Sequence, residues 1–149
     1  MTATRPILLL SGPNLNLLGE RDPAVYGTAT LDDHLATAIE TAESLGMTVD
    51  HIQSNHEGEI IEAIHGARGS YDAIVINPGA FTHYAWAIHD ALDAYDGPIV
   101  ELHLSNPAAR EPWRHTSVIA PVASGSIAGF GGDGYRLAIV AVAGLLAQS

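Results

Sequence analysis

The chain contains no cysteine and no lysine, and little positive charge of any kind. Without cysteine there is no disulfide, no thiolate nucleophile and no thiolate metal ligand. Without lysine there is no imine-forming amine and no phosphate-cradling lysine of the Walker type. All six basic side chains are arginines, set against 17 acidic ones, for a formal net charge of −11 over 149 residues. This balance lacks the basic footprint that nucleic acid or an anionic lipid surface requires. Long apolar runs are scarce too. Leu137 to Ala147 falls well short of the roughly 18 residues of a membrane span, and the four residues Ile7 to Leu10 are too few for a signal-peptide core. What is present is 47% hydrophobic and 15% charged, a globular composition able to bury a core without staples. The reading is a single cytoplasmic domain over residues 1–149.

Apolar runs bounded by turn residues alternate with helical patterns. Ile7–Leu10 is a buried-strand run ending at Ser11-Gly12-Pro13. Leu31, Leu35, Ala38, Ile39, Ala42 and Leu45 have helical spacing, with Thr30 and Asp33 suited to a reciprocal cap and Gly46 to a stop. Thr48–Gln53 reads as a second strand. Ile60, Ile61, Ile64 and Ala67 mark a helix stopped by Gly69, and Ala73–Ile76 a third strand. A helix over about 84–95 is expected next, beginning its free N–H groups near Thr82 or His83. Ile99–Leu104 is a fourth strand, Ser117–Val122 is expected to begin a fifth, and a last helix starts near Gly134. This alternation predicts an α/β fold, a flavodoxin-like doubly wound five-stranded parallel sheet. In such sheets the site lies beyond the carboxyl ends of the strands.

Three strand ends carry unusual chemistry. The first empties into a long segment, residues 11–27, holding Asn14, Asn16, Arg21 and Tyr26; long loops in compact domains tend to be functional. The third ends in Asn77-Pro78-Gly79-Ala80, an amide followed by a glycine that lets a ligand approach the backbone. On the fourth, Glu101 and His103 share a face because strand side chains alternate. Two ionisable groups there are costly to bury without a partner. A carboxylate beside an imidazole fixes its tautomer and favours its protonated form, which suits general acid catalysis. Taken singly, each end also has a bland reading: a packing loop, an Asn-Pro turn and a structural Glu–His pair.

Other patterns weigh less. Gly129-Phe130-Gly131-Gly132-Asp133-Gly134 matches GxGxxG, but the acidic residue expected about 20 positions on would fall past residue 149. It reads as a glycine-rich turn. His51, His56, Glu57, Glu59 and Glu62 lack the spacing of a metal site, and the glutamates read as a solvated acidic helix start. Trp86 and Trp113 read as packing or interface anchors.

Together the motifs resemble the type II 3-dehydroquinate dehydratase family. The resemblance rests on Gly12-Pro13-Asn14-Leu15-Asn16-Leu17-Leu18-Gly19, Tyr26-Gly27, Gln53-Ser54-Asn55-His56-Glu57-Gly58-Glu59, Asn77-Pro78-Gly79-Ala80, Glu101-Leu102-His103-Leu104-Ser105-Asn106 and Arg110-Glu111-Pro112-Trp113-Arg114-His115. It implies a cofactor-free, metal-free hydro-lyase that dehydrates 3-dehydroquinate to 3-dehydroshikimate by anti elimination through an enolate, in the shikimate pathway. Tyr26 matches the base, His103 the general acid and Glu101 the residue that orients it. Arg21 matches a loop arginine that stabilises the transition state, Arg110 an arginine near the tyrosine, and Asn14 an asparagine that helps hold the enolate oxygen. Asn77, Gly79, Ala80, His83, Leu104, Ser105 and Arg114 match substrate-binding positions, and Asp90 one lent to a neighbouring subunit. The family looks like trimers assembled into a dodecamer. Ser11 stands where the family usually has asparagine, and Tyr84-Ala85-Trp86 departs from its usual Thr-Ser.

Other function classes share the fold. A receiver-like signalling module needs an acidic cluster after the first strand, an aspartate at the third and a lysine at the fifth, where this chain has Gly12-Pro13-Asn14, Asn77 and no lysine. A flavin carrier needs a loop rich in Ser and Thr. A non-catalytic binder of small acids would use the same residues as the enzyme.

Overall fold

The computed structural model describes residues 5–148. Its five strands are β1 (Ile7–Ser11), β2 (Val49–Gln53), β3 (Ala73–Asn77), β4 (Ile99–His103) and β5 (Gly125–Ala128). The main helices are α2 (Leu31–Ser44), α3 (Glu57–Ala67), α4 (Trp86–Asp93) and α5 (Asp133–Ala147), with a single-turn helix α1 (Pro23–Tyr26) inside the first long loop. All strand pairs are parallel, in the order β2-β1-β3-β4-β5. This is the expected flavodoxin-like arrangement.

Local chemistry explains the elements. β1 and β3 are buried at every position, so up to their polar last residues, Ser11 and Asn77, they are apolar on both faces and carry no alternation. β2 lies at an edge and alternates half-buried with exposed residues. Helix α2 opens on the anticipated capping box: Thr30 Oγ1 accepts from the Asp33 N–H at 3.2 Å, and Asp33 Oδ2 accepts from the Thr30 N–H at 2.9 Å. It closes before Gly46, which adopts a left-handed φ of 74°.

The core forms two layers. On one face α2 and α5 cover Ile7, Leu9, Val75, Val100 and Leu102. On the other, α3 and α4 cover Leu8, Leu10, Ile74, Ile76 and Ile99. Because β1 sits between β2 and β3, the connections leaving β1 and β3 diverge to opposite sides, creating the crevice where such sheets bind ligands. Gly12 pins this junction. Its N–H donates to Asn77 O at 2.8 Å, and a Cβ there would lie 2.4 Å from Pro78 O.

Two expectations need correction. Ser117–Val122 is not a strand: Ala120–Val122 is a 3-10 turn, and β5 begins only at Gly125. Pro121 interrupts the ladder donors, while the Ser117 hydroxyl takes up the N–H groups of Ile119 and Ala120. Nor does the helix after β3 start at Thr82 or His83. Gly79–His83 forms a 3-10 segment and α4 starts at Trp86. The Thr82 hydroxyl is directed to Glu101 instead of capping a helix.

Candidate active site

The cavity lies at the carboxyl ends of β1, β3 and β4, with a volume of about 170 Å³. Three segments build its walls: Pro13, Asn14, Leu15, Arg21 and Tyr26 after β1; Asn77, Gly79, Ala80 and His83 after β3; His103, Leu104, Ser105, Pro107, Arg110, Trp113 and Arg114 from β4 onward.

At one wall, Arg110 Nη1 donates to the Tyr26 phenol oxygen at 3.0 Å and to Ser105 Oγ at 3.1 Å. The guanidinium carbons of Arg21 and Arg110 lie 4.8 and 5.3 Å from the centroid of the Tyr26 ring. The phenol thus meets one guanidinium at its oxygen and two against its ring. Tyr26 owes its place to α1, whose first residue, Pro23, presets the helical φ and which Asp22 enters at a left-handed φ of 36°.

Across the cavity is the β4 pair. His103 Nε2 lies 2.7 Å from Glu101 Oε2. Glu101 is almost wholly buried, at 1% exposure, and is held further by the Thr82 hydroxyl and by Ser117 Oγ, 2.9 Å from each carboxylate oxygen. Burial pushes its carboxyl up, but the hydrogen bond and charge of His103, with the Thr82 and Ser117 hydroxyls, outweigh that and hold it below the ordinary value. An ionised carboxylate only accepts, so the proton in this contact sits on His103 Nε2. Thr82 and Ser117 had no signal in strand periodicity, because they reach Glu101 from separate loops.

The remaining wall is polar. Asn77 Nδ2 donates to Tyr135 Oη, and its Oδ1 accepts from the Gly79 N–H, both at 3.3 Å. Gly79 holds a left-handed φ of 58° against Pro13. Asn14 also has a left-handed φ, 67°, and its N–H donates to Asn55 Oδ1 at 3.0 Å. His83 Nδ1 bonds Thr116 O at 2.7 Å, and its ring stands edge-on to Trp113 at 5.3 Å. Arg114 pairs with Glu111 and lies over the Trp113 ring at 3.9 Å.

Nearly every residue singled out from the sequence therefore gathers in one place. Glu101 stands behind His103 rather than on the cavity surface. Asp90 is exposed on α4 and does not line this cavity. Trp113, read as a packing or interface anchor, lines it, because the 3-10 turn Pro112–Arg114 folds back beside His83.

Fold and site together define a flavodoxin-like α/β enzyme, with a tyrosine flanked by guanidiniums opposite a histidine held by a buried carboxylate. The chain belongs to the class II dehydroquinase family, whose model matches residues 5–143. Among similar proteins, the 3-dehydroquinate dehydratase of Bacillus licheniformis is 56% identical over 133 residues, 89% of this chain and 92% of the relative. The catabolic 3-dehydroquinase of Aspergillus clavatus is 55% identical over 139 residues, 93% of each chain. The crystal structure of the type II dehydroquinase from Propionibacterium acnes superposes with a TM-score of 0.90 at 43% identity, covering 97% of this chain and 99% of that one.

Proposed function

We propose that this chain dehydrates 3-dehydroquinate to 3-dehydroshikimate, the hydro-lyase step of the shikimate pathway. The observation that carries the reading is the pairing, across one cavity, of a phenol bonded to Arg110 with an imidazole bonded to Glu101.

The steps follow from that geometry. Tyr26, as phenolate, removes a proton alpha to the ketone, and the C–H electron pair moves into an enolate. Arg110 donates to the Tyr26 oxygen and Arg21 lies against its ring, so both guanidiniums stand beside the group that takes the proton. Asn14 helps hold the enolate oxygen. The enolate then collapses, the new carbon–carbon double bond forms, and the hydroxyl beta to the ketone leaves. His103 gives it a proton so that it departs as water, while Glu101 stabilises the imidazolium before transfer and keeps the ring oriented. Asn77, His83, Ser105 and Arg114 hold the substrate's hydroxyls and carboxylate, with the Leu104 and Ser105 backbone beside the carboxylate. Gly79 and Ala80 let it approach the chain closely.

The reading includes a homo-oligomer built from trimers into a dodecamer, with Asp90 reaching a neighbour's site. Exposed Tyr84, Trp86 and Phe130 support it, since large apolar rings outside a core favour contact with another surface.

The direct test adds 3-dehydroquinate to purified protein and follows the ultraviolet absorbance of the conjugated enone. A steady rise is expected, and chelator should leave it unchanged. Intact, folded protein that binds the acid without forming enone would instead support the non-catalytic binding module.

A further inference from the structure

Behind the cavity, on the sheet face covered by α2 and α5, a polar chain runs from Asn77 through residues that have no part in the steps above. Its members sit close together because Ser11 of β1 is in register with Asn77 of β3, and both end their strands beside α5. Asn77 Nδ2 donates to the Tyr135 hydroxyl at 3.3 Å. Ser11 also bears electrostatically on the Tyr135 phenol, and Ser11 Oγ lies 2.9 Å from His51 Nε2. Ser11, Asn77 and Tyr135 are each no more than 2% exposed. The Tyr135 ring is fixed by His34, stacked on it at 5.0 Å and 5°. Gly132 makes room for that stack, because a Cβ there would lie 2.5 Å from a His34 ring carbon.

We propose that Tyr135, backed by Ser11 and His51 and stacked on His34, is a positioning residue that sets which end of the Asn77 amide faces the bound substrate. The proposal rests on the reading of Asn77 as a substrate-binding residue. The two ends of an amide have nearly the same shape, so steric fit cannot choose between them; only the polarity of the partners can. The Gly79 N–H can only donate and therefore demands Oδ1. Tyr135 completes the choice if its oxygen accepts, which requires its own proton to point elsewhere.

Ser11 takes that proton, and the Ser11 proton in turn goes to a bare Nε2 on neutral His51. Donors then run one way, from Asn77 through Tyr135 and Ser11 to His51, and one amide N–H and one Oδ1 lone pair remain for substrate. Two further observations agree with this direction. Burial holds the His51 imidazole below its ordinary value against the opposing charge of Asp32. Burial also pushes the Tyr135 phenol up to about 12, so it keeps its proton.

The test is a double-mutant cycle on the full chain with 3-dehydroquinate as substrate, reading kcat/KM and melting temperature for wild type, Tyr135→Phe, Asn77→Ala and the double variant. Phenylalanine keeps the ring stack and removes only the hydroxyl. The expected result is a loss of about three- to tenfold for Tyr135→Phe, the size of one oriented hydrogen bond, shrinking to less than about twofold in the Asn77→Ala background. A purely structural role would lower activity equally in both backgrounds, and that result overturns the proposal. So does a severe Asn77→Ala with a silent Tyr135→Phe, which leaves the reading of Asn77 intact. A silent Asn77→Ala removes that reading and the proposal with it. If Tyr135→Phe does not fold, Ser11→Ala, run through the same cycle, decides by the same criteria.

Discussion

At Tyr26 the phenol oxygen accepts from Arg110 and the ring lies beneath two guanidinium groups. Deleting the hydroxyl removes the proposed base while leaving the half-buried ring to fill its place. Tyr26→Phe is therefore expected to lower kcat by about 10²–10⁴-fold, as is His103→Ala at the acid, each with little change in melting temperature. Stopped-flow or steady-state enone formation alongside calorimetry checks both. Arg21→Ala should likewise damage turnover far more than folding, and equal losses of the two would count against its assignment. At Glu101 the contacts are different in kind. Three side chains converge on one buried carboxylate, so its loss disturbs a network rather than a single pair. The pairing of Glu101 with His103 was legible in the sequence, since period-two alternation alone puts both on one face. Thr82 and Ser117 were not, because nothing local relates residues 19 and 16 positions away from Glu101.

Elements are where sequence chemistry speaks most directly. The box at Thr30 and Asp33 was legible because capping is a contact between residues three apart. Replacing Thr30 with alanine strips an acceptor from a helix N-terminus, and the expected cost is about 1 kcal/mol of stability, measurable by urea denaturation, with kcat unchanged because α2 carries no group that lines the cavity. Gly12 is a stricter case. With Pro78 O only 2.4 Å from a prospective Cβ, Gly12→Ala forces the loops after β1 and β3 apart, and overpacking of this kind costs about 1–3 kcal/mol. Because those loops carry Asn14 and Asn77, activity should fall with stability there, unlike at Tyr26. The misread element, Ser117–Val122, shows the limit of pattern reading. Val118 and Ile119 are buried as strand residues would be, yet the chain around them is held by hydrogen bonds to Thr82 and Ser117.

At the scale of the whole molecule, charge sets two expectations. Glu101 is held below its ordinary value of 4.5, so the folded state binds its proton less readily than the unfolded chain. The stability this contributes is fully present above about pH 4.5 and is lost as pH falls through the native value. Melting temperature should therefore fall more steeply on acidification below 4.5 for wild type than for Glu101→Gln, as scanning calorimetry between pH 5 and 3 would read. The second expectation concerns assembly. The proposed dodecamer has a mass twelve times the 15.6 kDa chain, which light scattering distinguishes at once from a trimer or a monomer. The scarcity of positive charge also acquires a meaning at this scale. Of the six arginines, Arg21, Arg110 and Arg114 all line one cavity, concentrating positive charge in an acidic molecule where an anionic substrate would sit.

By itself the sequence determined the alternation of strands and helices, the caps and stops, the carboxylate–imidazole pair on β4 and the family's motifs. Each of these is a relation between residues near one another in the chain, governed by backbone period or turn chemistry. Only the tertiary structure decided that Thr82 and Ser117 hold Glu101, that Trp113 lines the cavity, and that Ser11, His51 and Tyr135 stand behind Asn77. Those contacts join residues brought together by sheet register and helix packing, and no local periodicity encodes which distant side chain fills a given hydrogen bond.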